Sequence, residues 1–265
     1  MVTQRVALAL LLVAPVARAT PKPLPFTYGA DTNPKGQGEV EQYVDLVPVM
    51  ALDGNAAPRR VLATEFLTEV EYGLSDRVEL GLYATLAPEP AGYVAMPSLV
   101  EGNGSKQRIR WRLADPGDWP VDVALYGEIA ETNNELELEW KLILERRFGP
   151  LRLLANAWFE YEFYFDGRRE WVFNPTAGLT VQATPNVSPG IEWWMRAEVR
   201  SDARDPPSFD AGPHHYVGPT LRLSFGNFFW TTGLYVRVSD FGRVLAPGVD
   251  SYGPVWFRSL VGFSF

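Results

Sequence analysis

The stretch ELELEWKLILERRF, residues 135–148, restricts what this chain can fold into more than any other part of it. Glu135, Glu137, Glu139, Lys141, Glu145 and Arg147 share one parity, and Leu136, Leu138, Trp140, Leu142 and Leu144 share the other. A period of two belongs to an extended strand whose faces meet different surroundings, and no amphipathic helix produces it. The same alternation recurs after Gly38 in segments of roughly ten residues. Twelve strands are predicted, over 38–48, 60–74, 77–87, 105–114, 121–131, 135–148, 151–164, 170–183, 189–200, 215–225, 227–238 and 255–265. Every second link is tight, such as Leu74-Ser75-Asp76-Arg77, Gly149-Pro150 and Phe225-Gly226-Asn227. Several of the others are long, notably 88–104, 201–214 and 239–254. Pro175 and Pro219 fall inside predicted strands, so bulges or irregular ladders are expected there.

Soluble β-sandwiches alternate too, so the choice of solvent rests on where charges and rings fall. Nearly every strand charge lies on one parity. The exceptions Arg60, Glu131 and Arg146 sit at strand ends, where a lipid-facing charge costs far less than the ~2–4 kcal/mol it costs at mid-depth. Rings on the apolar parity gather in two bands: Tyr72, Phe148, Phe225 and Phe263 toward one end, Phe159, Tyr161, Trp171 and Phe257 toward the other. Two girdles are what amphipathic rings form at headgroup depth. The expected fold is therefore all-β: a closed antiparallel transmembrane β-barrel of about twelve up-and-down strands, with short periplasmic turns and longer extracellular loops. Ten or fourteen strands stay open.

Before the strands, Arg5 precedes an apolar run from Val6 to Val16 that ends at Ala17-Arg18-Ala19. This reads as a secretory signal cleaved after Ala19, because the run is too short to span a bilayer as a helix. The plan is then a signal peptide over 1–19, an irregular lead-in over 20–37 and a barrel over 38–265, placed in the outer membrane of a Gram-negative bacterium. The chain has no cysteine, which removes disulfides, thiolate chemistry and a lipid-anchored Cys. Its 32 acidic against 24 basic residues argue against a nucleic-acid partner. Outer-membrane lipids and lipopolysaccharide are the expected surroundings.

The stretches FTYGADTNPKGQGEVEQYVDL, EVEYGLSDRVELGLYATL and ELELEWKLILERRFG resemble a family of uncharacterised proteobacterial outer-membrane barrel proteins of porin-like type. The resemblance implies fold and location and carries no catalytic residue over. The final strand, VWFRSLVGFSF, closes on Phe265 and resembles the C-terminal signal read by the barrel assembly machinery.

What the inward parity could do is read from its charges. Candidate pore-lining residues are Glu79, Arg108, Arg110, Arg112, Asp122, Glu128, Glu135, Glu137, Glu139, Glu160, Glu162, Arg196, Arg222, Arg237 and Arg258. Lys106, Arg108, Arg110 and Arg112 form a basic ladder that Glu79, Asp122 and Glu128 can pair with from flanking strands. If the ladder lines an open path, changing its arginines to Gln shifts selectivity toward cations; if it fills the interior, the change harms the fold. Three readings stay open: a conduit for small polar or charged solutes, a plugged structural barrel, and a lipid-modifying enzyme. The enzyme reading needs a positioned base, and only His214 and His215 exist. Adjacent strand residues point oppositely, so at most one could act, near Ser208, and with Asp210 the pair makes a poor metal site. No catalytic residue, cofactor or metal is expected.

Overall fold

The computed structural model describes residues 22–88, 92–95, 103–201, 213–239 and 253–265. Ala17, Ala19, Ser208, Asp210 and most of the three long links lie outside the described residues. Among the described residues there is one antiparallel sheet of fourteen strands. They are β1 (Gly38–Asp53), β2 (Pro58–Ser75), β3 (Val78–Leu86), β4 (Tyr93–Ala95), β5 (Gly104–Arg112), β6 (Asp122–Thr132), β7 (Glu135–Phe148), β8 (Leu151–Tyr164), β9 (Arg169–Phe173), β10 (Thr176–Val181), β11 (Val187–Ser201), β12 (His214–Phe225), β13 (Phe228–Arg237) and β14 (Val255–Ser264).

The sheet closes on itself. β14 pairs back onto β1 from Glu39↔Ser264 to Leu46↔Phe257. β9 and β10 are successive halves of one stave, each flanked by β8 and β11. β4 is extra and touches only the end of β1. The wall is thus a closed barrel of twelve staves.

The structure differs from the sequence expectation where backbone chemistry intervenes. The predicted strand 170–183 is split at Asn174-Pro175, where Asn174 N donates to Trp158 O (2.9 Å) and Pro175 O accepts from Met195 N (3.1 Å). At Pro219 the β12–β13 ladder skips Gly218 and Pro219 and resumes in the same register, from Val217↔Val236 to Thr220↔Gly233. Both prolines therefore sit where the ladder is interrupted. The first hairpin is longer than predicted: β1 runs on past Pro48 to Asp53 and β2 begins at Pro58, beyond Leu46, the last β1 residue paired with β14.

The wall is inverted relative to a protein built for water. Leu62, Val70, Leu82, Ile109, Trp111 and Ile129 are exposed on the outside, while Glu39, Glu41, Glu69, Glu79 and Glu145 are fully buried inside. Apolar surface of this extent is stable only against lipid, and a closed ladder is what lipid demands of strands. Outward rings mark both rims. Tyr72, Phe148, Phe225 and Phe263 lie at the turn end, and at the other Trp171 meets Trp140 edge-on at 5.7 Å. At the turn end Arg77 Nη2 bonds Asp115 Oδ2 at 2.8 Å, and that guanidinium holds the Asp115 carboxyl below the usual carboxylate range.

The last residue completes the seam. Phe265 N donates to Gly38 O at 2.8 Å, and Gly38 N donates to Phe265 O at 2.9 Å. Deleting Phe265 removes this pair and its ring from the rim. The fraction of protein that migrates as the compact, heat-modifiable form on unboiled gels is expected to fall several-fold at equal synthesis. An unchanged fraction would show that the seam closes without it.

Candidate functional site

The lumen is occupied by the chain itself. Residues 22–37, KPLPFTYGADTNPKGQ, contain Pro23, Pro25, Pro34 and two glycines, so they make neither a helix nor a ladder strand. Their backbone N–H groups still need acceptors once buried, and inward side chains of the wall supply them. Phe26 N and Thr27 N donate to Glu192 Oε1 at 3.1 and 2.5 Å. Tyr28 N donates to Asn156 Oδ1 at 2.7 Å while Asn156 Nδ2 returns a bond to Tyr28 O at 3.1 Å. Ala30 N donates to Glu145 at 3.0 Å and Asn33 N to Glu79 at 2.6 Å. The segment enters at the turn end beside β1, crosses to β7 and β8, passes β11 and returns to β1 and β2.

Side chains fix the same path. Phe26 packs against Trp194, Tyr235 and Trp256 with ring centroids at 4.7, 5.3 and 6.1 Å. The Arg258 guanidinium lies 3.9 Å over its face while bonding Asp45. Lys22 reaches Glu41 at 3.1 Å and Glu69 at 3.3 Å, and its carbonyl accepts from Thr231 Oγ1 at 3.0 Å. Asp31 bonds Arg147 and Arg152. Phe26, Trp158 and Arg258 line both of two small cavities left in the lumen.

The sequence-predicted residues face this interior, and the structure sorts them into groups. Arg108 is fully buried in an acidic nest: Nε donates to Glu69 at 2.8 Å and Nη1 to Glu79 at 2.6 Å, and Nη2 bonds Glu71. Arg110 shares Glu79 at 2.7 Å, and Lys106 pairs with Glu128 at 3.1 Å. Arg112 lies at the turn-end rim, bonding Asp76 O at 2.7 Å. Asp122 also belongs to that rim, where it accepts from Gly117 N at 2.8 Å and is not joined to the ladder by any bond described. A second group gathers Glu128, Glu137, Glu139, Glu160 and Glu162 on β6, β7 and β8, with Arg196 bonding Glu160 and Glu162 at 2.7 Å each. Glu135 begins β7 just beyond this group. Arg222 sits 5.6 Å from the Phe229 ring, and Arg237 ends β13 opposite Tyr216. His214 is buried inward while His215 stacks outward on Trp193 at 5.8 Å, so the two face opposite sides of the wall.

What sequence reasoning missed is the lumen's contents. Tyr43, Tyr83, Tyr126, Trp194, Tyr216, Tyr235 and Trp256 are all buried inside, on the parity that carries the charges. Rings on a polar parity are a readable sign that something apolar must be packed there. Phe26 and Tyr28 are that something.

Comparison with solved structures bears on this arrangement. The barrel resembles the crystal structure of an outer membrane channel from Pseudomonas putida F1, with a TM-score of 0.58 and 11% identity, covering 89% of this chain and 98% of that one. It resembles the NanC porin equally, with a TM-score of 0.58, 10% identity and coverage of 84% and 98%. The KdgM porin follows with a TM-score of 0.50, 9% identity and coverage of 84% and 99%. The fold is that of outer-membrane channel barrels. At these identities the likeness concerns fold alone, and no protein-family model and no curated protein matches the chain. In this barrel, then, the closed wall encloses a segment of its own chain.

Proposed function

We propose that the chain is an outer-membrane channel for small polar or charged solutes, shut in the described conformation by its own residues 22–37. The observation that carries this reading is how the segment is held. It joins the wall covalently only at Gly38, and its other links are hydrogen bonds, ion pairs and ring contacts. It can therefore leave the lumen without breaking a stave, and the surface it would uncover is the charged parity of every strand. The exported chain would lie in the outer membrane with lipid and lipopolysaccharide around it, delivered by the barrel assembly machinery.

A permanently plugged barrel is the second reading, and the ring cage around Phe26 favours it. Single-channel recording in planar bilayers separates the two. The intact mature protein is expected to open rarely, and a variant lacking residues 22–33 to conduct in large, persistent steps. A deletion variant that folds, as judged by heat-modifiability, yet stays silent would refute the channel.

A further inference from the structure

We propose that the lumen holds a divalent-cation site of the calcium class, built on β6, β7 and β8 around Glu137. The register alone creates the need. Glu139 lies opposite Glu128 across one ladder and opposite Glu160 across the next, and Glu137 lies opposite Glu162. Like charges placed directly opposite on one face repel, and these five side chains are all buried. Ligand oxygens of Glu128, Glu137 and Glu139 lie within 4.8 Å of one another, and so do those of Glu137, Glu160 and Glu162. Glu137 is common to both triads.

The protein's own cations do not balance the group. Lys106 bonds Glu128, Lys141 bonds Glu139, and Arg196 bonds Glu160 and Glu162. With all five carboxylates ionised, these three cations leave a formal excess of two negative charges.

An independent observation places the excess. Glu137 Oε1 is buried and has no hydrogen-bond partner, while the side chain as a whole is only 5% exposed. A buried, unpaired carboxylate oxygen on the residue common to two carboxylate triads suits an oxygen-ligand cation site. The excess of two charges matches a divalent ion. Calcium fits better than magnesium because it accepts six to eight oxygens in flexible arrangements, including bidentate carboxylates, whereas magnesium keeps its waters and demands an octahedron. Entry from the loop end is short, since Glu135 and Tyr164, at the rim of β7 and β8, are only partly buried.

The test uses the full mature chain folded in detergent micelles and stripped with chelator. Isothermal titration with calcium chloride is expected to give one saturable site per barrel. Calcium is also expected to raise the temperature at which the heat-modifiable form is lost. Glu137→Gln, which relieves repulsion and so keeps the barrel folded, is expected to weaken binding at least tenfold and abolish the thermal shift. Glu162→Gln should do the same, and Asp166→Asn, at an exposed turn outside the cluster, should change neither. Absence of saturable binding at millimolar calcium, or equal binding by Glu137→Gln, overturns the site. So does a wild-type barrel that is stabilised by mild acid but not by calcium, since protons would then neutralise the cluster.

Discussion

Changing Arg108 to Gln is expected to remove most of the assembled barrel. The guanidinium is the shared partner of Glu69, Glu71 and Glu79, and its side chain is inaccessible to solvent. Removing one member of a buried ion pair costs about 3–5 kcal/mol, because the other charge is left uncompensated. Here three carboxylates lose the same partner, and Arg110 bonds only one of them closely. The measurement is urea-dependent folding into lipid vesicles, read by heat-modifiability. Adding Glu69→Gln and Glu71→Gln to the variant should restore much of the folded fraction, since the stranded charges leave with them. Normal folding of the single variant would mean that water reaches the nest. Burial therefore assigns Arg108 to the fold, and a shift toward cation selectivity is the outcome to seek at Arg112, whose guanidinium is at the rim.

Phe26→Ala is expected to release the segment from the lumen while leaving the wall intact. Truncating a buried Phe typically costs about 3–5 kcal/mol. This ring contacts Trp194, Tyr235, Trp256 and Arg258 and belongs to no stave. The loss therefore falls on the docked state of residues 22–37, and the docking equilibrium should shift by about two to four powers of ten at 1.4 kcal/mol each. In planar bilayers the open probability of the variant should rise accordingly, with urea resistance of the barrel nearly unchanged. A loss of barrel stability with no gain in conductance would show that the segment is an integral core.

Much of this architecture was legible because a strand facing two solvents writes its orientation into every second residue. Glu137, Trp140 and Lys141 already told inside from outside. So did His214 and His215, which one-residue spacing sends to opposite faces. The break at Asn174-Pro175 was legible as trouble, though not as a clean division into β9 and β10, because proline marks a lost donor without saying how the ladder resumes. The occupied lumen was not legible. Residues 22–37 carry no period, and their acceptors lie far along the chain, as Glu192 does from Thr27. The pairing of Arg108 with Glu79 was within reach of strand adjacency. Its pairing with Glu69 and Glu71, two strands away, depended on the curvature of a closed wall.

Closure of the wall also has an order in time. Nearly every stave pairs with its neighbour in sequence, so most hairpins can form locally. The β1–β14 seam instead joins residues such as Glu39 and Ser264, 225 apart. Bringing such ends together costs roughly (3/2)RT ln n, about 5 kcal/mol for a loop of this length, and contacts this distant form late. The segment that fills the lumen touches the earliest strands through Lys22 and Asn33 and the latest through Thr231 and Arg258. A nascent sheet that folds around it holds its two free edges near each other before they join. The amino-terminal residues would then serve as an internal mandrel, and losing them should slow the last step of assembly more than it weakens the finished barrel.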